Sequence, residues 1–197
     1  MENLNEKTDE ELASLLLIDQ ASFLALMQRY EPKLLGYIFR ISKSTKEEAE
    51  DILQDVFIKV YKNINSFDSG LKFSSWIYRI THNEVISSFR KKSARPQLAD
   101  NGLDDALIER IAGEFDVVRE IDTKRMREVM LGFIDRLDSK YREVMILKFL
   151  EEKDYKEISD ILKKPMGTVA TLINRAKKKL RIELENNKKL LNDIYEK

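Results

Sequence analysis

A chain of 197 residues with 43% hydrophobic content is long enough for one ordinary domain or two small ones with cores of modest size. Its 35 Lys+Arg balance 35 Asp+Glu, and 36% charged residues with only six Gly and three Pro favour helix over a turn-rich all-β fold. The absence of cysteine excludes disulfides, thiolate zinc sites and thiol redox chemistry, and no apolar run approaches the roughly 18 residues that cross a bilayer.

The opening MENLNEKTDEEL is polar and acidic, so neither export nor membrane insertion is expected. Apolar residues then recur at helical spacing through Leu12, Leu15, Leu16, Phe23, Leu26, Met27 and Tyr30, and again through Leu34, Leu35, Ile38 and Phe39. This pattern predicts two helices meeting near Pro32. A third amphipathic helix is predicted from about Lys46 to Asn63, with Ala49, Ile52, Leu53, Val56, Phe57, Val60 and Tyr61 on its apolar stripe. Asp51, Gln54, Asp55 and Lys59 fall outside the stripe, and Ser44 or Thr45 can cap the helix start. NSFDSG reads as a loop, and KFSSWIYRITHNEVISSFRKK as a fourth helix with a basic end. On that helix Phe73, Trp76, Ile77 and Ile80 recur at core spacing, while Arg79, His82, Asn83 and Glu84 fall largely off it.

The balanced total conceals an uneven distribution of charge. Residues 93–122 hold eight acids against three arginines, and with Pro96, Gly102 and Gly113 they read as a linker between helical parts, although ALIERIAGEF can hold a short helix. Two further helices follow in RMREVMLGFIDRL and SKYREVMILKFL, joined around Asp138 and Ser139, where a serine cap is expected. No internal repeat or low-complexity tract is present.

The last motif, KKPMGTVATLINRAKKKLR, gathers seven basic side chains and no acid. Upstream of it, Ile158, Ile161 and Leu162 lie on one helix face; within it, Val169, Leu172 and Ile173 share the next. The few residues around Lys163–Pro165 predict a steep crossing of the two helices, the geometry of a helix-turn-helix. Pro165 suits a first helical turn, and Gly167 with Thr168 leaves unpaired N–H groups open to a phosphate. Arg175, Lys177, Lys178, Lys179 and Arg181 extend the positive charge along the helix. A polyanion partner accounts for the coincidence of turn, packed helix and basic run; a solvated terminal helix is the alternative.

These residues resemble the sigma-70 family of bacterial RNA polymerase specificity subunits, in its short two-domain extracytoplasmic-function type. The resemblance covers nearly the whole chain. EEAEDILQDVFIKVYKNINSFDSGLKFSSWIYRITHNEVISSFRKK looks like that family's region two, and YREVMILKFLEEKDYKEISDILKKPMGTVATLINRAKKKLR like its region four. It implies an all-α chain of two small helical domains, region two in residues 1–95 and a region four helix-turn-helix in 123–197, joined by the acidic linker 96–122. The implied function is that of an alternative sigma factor, a cytoplasmic, non-enzymatic protein without cofactor. Its implied partners are core RNA polymerase, through the β′ clamp helices and the β flap, promoter DNA, and an anti-sigma factor received on an apolar face. A helix-turn-helix regulator without a polymerase-subunit role is the alternative. A helical enzyme finds no support in nucleophile, metal-ligand or glycine-rich phosphate motifs, and His82 has no Cys or second His beside it.

By the same resemblance, Asp51, Gln54 and Asp55 match a D-x-x-Q-E motif that faces the clamp helices, with Asp55 in place of Glu. Their spacing of three and four puts them on one helix face. Ser66, Phe67, Asp68 and Lys72 lie in the loop that holds a flipped-out base of the minus-ten element, where Phe67 can equally serve as a core plug. Arg79, His82, Asn83 and Glu84 match positions that approach minus-ten DNA, and Arg90, Lys91 and Lys92 at the helix end suit phosphates or the negative helix terminus. Gly167, Thr168, Thr171, Asn174, Arg175, Lys177 and Lys178 match the minus-thirty-five surface. The chain departs from the family at Ala170 and Leu172, where basic residues are common, at Ser87 in place of Asp, and at Lys163 in place of a turn glycine.

Overall fold

The computed structural model describes residues 4–16, 18–68, 70–93 and 130–186. Every regular element among them is helical. They group into two compact units, Met1–Asp104 with Lys156–Lys163, and Asp105–Tyr155 with Lys164–Lys197. The expected linker 96–122, including ALIERIAGEF, lies outside the described residues.

In the first unit, α1 (Asp9–Leu15) opens with a capping box in which Thr8 and Glu11 exchange hydrogen bonds. Those bonds, chiefly the one from the Thr8 backbone N–H, hold the Glu11 carboxyl below the usual range. The chain then leaves the helix, and Asp19, in extended conformation, starts α2 (Gln20–Ser42) by accepting the N–H groups of Ala21 and Ser22. α3 (Lys46–Asn63) begins with a second capping box, Thr45 with Glu48. α4 (Phe73–Ser93) follows a short 3-10 turn at Ile64–Ser66 and a loop. Helices α2, α3 and α4 pack mutually, and α1 lies against α2 and α4. Leu26, Leu34, Tyr37, Val56, Phe73 and Val85 are among the side chains they bury.

The two helices expected to meet near Pro32 are instead one. α1 ends at Leu15 and α2 starts from its cap Asp19, running through Pro32 without interruption. Proline has no N–H for the Gln28 carbonyl, a cost of about 3 kcal/mol in a helix interior. Leu26 and Tyr30 before it and Leu34 and Ile38 after it are buried, and each large side chain so buried contributes about 1.5–3 kcal/mol. Packing on both sides of the proline outweighs the missing bond. Asp19, a polar residue able to cap, stands where the apolar pattern has a gap, and there the helix breaks.

In the second unit, residues 130–135 are helical, α5 spans Ser139–Phe149 and α7 spans Met166–Asn186, with α5 and α7 packed together. Tyr141, Val144 and Leu147 are buried on α5, and Val169, Ile173, Ala176 and Leu180 on α7. Asp138, not a serine, holds the N-cap position of α5, and its side chain makes no capping bond; Ser139 is the first helical residue. α6 (Tyr155–Leu162), which apart from Tyr155 groups with the first unit, buries Ile158, Ile161 and Leu162, as its spacing predicts. Lys163 follows in the left-handed conformation at φ 53°, a geometry that glycine adopts without the cost of roughly 1 kcal/mol paid by a side chain.

Candidate nucleic-acid and polymerase interfaces

On α3, burial of Ala49, Ile52, Leu53, Val56, Phe57 and Val60 turns Asp51, Gln54 and Asp55 outward, and all three are exposed. Tyr61, read as part of the apolar stripe, is instead 52% exposed, its ring tilted on Phe23 at 5.3 Å. Ile58 and Leu24 are also exposed. The acidic stripe thus has an apolar border that periodicity alone did not disclose, because Tyr61 lies at the stripe's edge.

The following loop is built from local bonds. Phe67 N–H donates to the Ile64 carbonyl at 2.9 Å, and the Asp68 carboxylate accepts Gly70 N–H at 2.9 Å. Ser66 is exposed and its hydroxyl donates to the Asn63 carbonyl. Phe67 is half-buried, packing on Phe73 at 5.5 Å and on Trp76 at 5.4 Å. One side of the ring therefore rests on the core while the loop around it stays at the surface. Lys72 is exposed at the mouth of α4, with its ammonium 3.5 Å from Glu157, whose segment 156–163 belongs to the same unit.

Along α4, Phe73, Trp76 and Ile77 are buried and Ile80 is half-buried. Asn83, Arg90 and Lys91 are exposed, and Arg79 and His82 half-buried. Arg79, Asn83 and Arg90, spaced by four and seven, share one helix face. Glu84 departs from the sequence reading. It is 3% exposed and paired with Lys59 of α3, so it tethers two helices and faces no ligand. Lys92 likewise bridges to Glu48 at 2.5 Å. That bond, assisted by Thr45 N–H, keeps the Glu48 carboxyl below the usual carboxylate range.

On α7 the Pro165 carbonyl accepts the N–H groups of Thr168 and Val169, which makes Pro165 the cap residue preceding the helix, one position earlier than its predicted place in the first turn. Gly167, Thr168, Thr171, Asn174, Arg175, Lys177 and Lys178 are all exposed, opposite the buried stripe. Gly167, Thr171, Asn174 and Lys178 recur at four, three and four along one outward row. The Thr171 hydroxyl donates to the Gly167 carbonyl at 2.8 Å, leaving its oxygen as an acceptor toward solvent. A Cβ at Gly167 would meet nothing within 4 Å, so internal packing does not require glycine there. Lys177 lies at the flank, over the Phe149 ring at 5.4 Å. Lys179 pairs with Asp138 and Arg181 with Glu185. Leu172 is half-buried and Ala170 partly covered, so the two family departures sit at the edge of the outward row.

Among the described residues no group of His, Asp or Glu could hold a metal ion, and no helix is long and apolar enough to cross a membrane.

Two family models match the chain, sigma-70 region 2 over residues 26–95 and sigma-70 region 4 over residues 127–180. The ECF RNA polymerase sigma factor SigW of Bacillus subtilis (strain 168) is 35% identical over 176 residues, covering 85% of this chain and 91% of that protein. Among solved structures, CnrH in complex with the cytosolic domain of CnrY superposes with a TM-score of 0.66 at 22% identity, covering 92% of this chain and 99% of that one. The sigma factor RpoE in complex with the anti-sigma factor NepR from Bartonella quintana gives 0.60 at 21% identity, covering 84% and 98%. These two likenesses carry the two-domain helical fold. The chain belongs to the sigma-70 family, in its extracytoplasmic-function group. It is an alternative sigma factor, a protein that binds core RNA polymerase and promoter DNA and directs promoter-specific transcription initiation.

Proposed function

We propose that the two domains, residues 1–95 and 123–197 with the linker 96–122 between them, act as separate grips in the cytoplasm, one on polymerase and the melted minus-ten element, the other on the minus-thirty-five element. The protein itself carries no catalytic step. Asp51, Gln54 and Asp55 face the β′ clamp helices. Ser66, Phe67, Lys72, Arg79, His82, Asn83, Arg90 and Lys91 hold the minus-ten strand, with Phe67 as a half-seated platform beside an unstacked base. Gly167, Thr168, Thr171, Asn174 and Arg175 approach base edges or phosphates, while Lys177 and Lys178 neutralise the backbone. The C-terminal domain also docks on the β flap. An anti-sigma factor is a further partner of this chain, a role supported by the complexes in which the similar CnrH and RpoE were solved.

The observation that supports this reading most is the outward row of α7, whose exposed residues coincide with the basic run in the matched region 4 segment. Its test is run-off transcription with core enzyme. Wild-type chain is expected to yield promoter-dependent transcripts, and the triple change of Asp51, Gln54 and Asp55 to Ala is expected to weaken core binding while leaving thermal stability within about 0.5 kcal/mol per site, as all three are exposed. Undiminished core binding by the triple variant would remove the acidic stripe from the interface.

A further inference from the structure

We infer that Glu10, on the amino-terminal helix α1, is a positioning residue for minus-ten recognition, because it caps α4 from outside and thereby holds the base-capturing loop. This inference rests on the function proposed above.

The start of α4 receives a cap from another helix. Its first N–H groups have no intrahelical acceptor. The residue preceding the helix is Lys72, whose carbonyl accepts from Ser75 and Trp76; a lysine side chain has no acceptor with which to cap the helix. The missing acceptor arrives from 63 residues upstream, where the Glu10 carboxylate accepts Phe73 N–H at 2.8 Å. A carboxylate there also suits the positive end of the helix.

Glu10 is itself held in place. Its neighbour Asp9 accepts Arg29 at 2.8 Å and the Tyr30 hydroxyl at 2.5 Å, both from α2. Arg29 also donates to the carbonyls of Leu4 and Lys7, which fixes the segment before α1. The Tyr30 ring meets Phe73 edge-on at 5.5 Å. Phe73 is thus gripped twice, by Glu10 at its N–H and by Tyr30 at its ring. Phe67 packs on that same Phe73 and on Trp76. The loop's half-buried aromatic therefore rests on a residue whose backbone position α1 sets.

Without the acceptor, the first turn of α4 frays more often and carries Phe73, Phe67 and Lys72 with it. The consequence falls on selectivity for the captured base. The polymerase-facing stripe on α3 is untouched, because Glu10 bonds to α4 and its helix packs on α2 and α4.

The test uses holoenzyme assembled from core polymerase and the full chain, with two fluorescent single-stranded oligonucleotides. One carries the non-template minus-ten sequence of a promoter mapped with this sigma; the other is abasic at the captured position. For wild type, the abasic oligonucleotide binds more weakly, and this ratio is the readout. Glu10→Ala is expected to reduce the ratio about fivefold, the factor equivalent to loss of a typical helix cap. Glu10→Gln keeps a side-chain oxygen for Phe73 N–H and is expected to retain most of the ratio. Affinity for core enzyme is expected to be equal in all three.

An unchanged ratio in Glu10→Ala, a Gln variant as impaired as Ala, or a loss of core binding in proportion to the loss of base preference would each overturn the inference. Wild-type holoenzyme that ignores the base would overturn the underlying minus-ten assignment instead, so the two failures are distinct.

Discussion

Replacing Lys178 by Ala tests whether the outward row of α7 meets DNA phosphates. Lys178 lies 11 residues beyond Gly167 on the same side of the helix and is exposed, so about 16 Å of helix, at 1.5 Å per residue, separates the open N-terminus from this ammonium. Each neutralised phosphate releases condensed counterions and contributes about −0.9 to the slope of log affinity against log salt. Removing the Lys178 contact should therefore flatten the slope by about 0.9, so that the variant's deficit shrinks about 2.7-fold between 0.1 and 0.3 M salt. Lys179 and Arg181 serve as internal comparisons, since each lies within 3.3 Å or less of a carboxylate, Asp138 and Glu185 respectively, that offsets its charge. Lys177 rests over Phe149 at the flank, and its substitution should flatten the slope by less than that of Lys178. The assay is a salt titration of holoenzyme on promoter DNA by fluorescence anisotropy. A slope unchanged by Lys178→Ala, or changed more by Arg181→Ala, would refute the reasoning.

Gly167→Ala should raise thermal stability by about 0.5–1 kcal/mol, because the added methyl meets nothing and alanine favours helix, while weakening promoter binding; equal binding would show that DNA does not approach this amide face. Pro32→Ala restores a hydrogen bond in α2 at an exposed position and should stabilise by about 1–3 kcal/mol, several degrees in melting temperature; a lower melting temperature would show that the proline fits a bend the packing needs. Because the Glu48 carboxyl is depressed by Lys92, its contribution is complete above the unfolded value of 4.5 and is lost as pH falls through the lower folded value. Both side chains are more than a third exposed, so screening limits the pair to a few tenths of a kcal/mol, and Lys92→Met should lower the urea midpoint slightly at pH 7 and progressively less as pH falls below 4.5. A loss that does not change as the pH is lowered would point to packing of the lysine stem instead of its charge.

How much of this was legible in the sequence depended on the range of the interaction. α3 ran from Lys46 to Asn63 as its pattern predicted, since both the period of its apolar residues and its Thr45 cap are written within a few residues. The outward row of α7 was legible for the same reason: burial of Val169 and Ile173 fixes which way Thr171, Asn174 and Lys178 point. Pro32 misled because a local rule was weighed without the packing that overrides it. Glu84 misled because its partner, Lys59, is 25 residues away, and a carboxylate off the apolar stripe looks solvated until another helix brings an ammonium to it.

The same distinction bears on where selectivity can be altered in this sigma factor. Residues that would touch DNA, such as Asn83 or Thr168, lie on faces defined by their own helix. The loop between α3 and α4 is shaped by short-range bonds, and its one half-buried aromatic, Phe67, is seated on Phe73 and Trp76 of α4. Its geometry therefore depends on how α4 begins, and α4 begins against a carboxylate from α1. A change in the amino-terminal helix that leaves every DNA-facing side chain in place can still move the loop. Selectivity at the minus-ten element should then respond to α1 substitutions that leave polymerase affinity alone, whereas α3 substitutions at Asp51 or Gln54 should do the reverse.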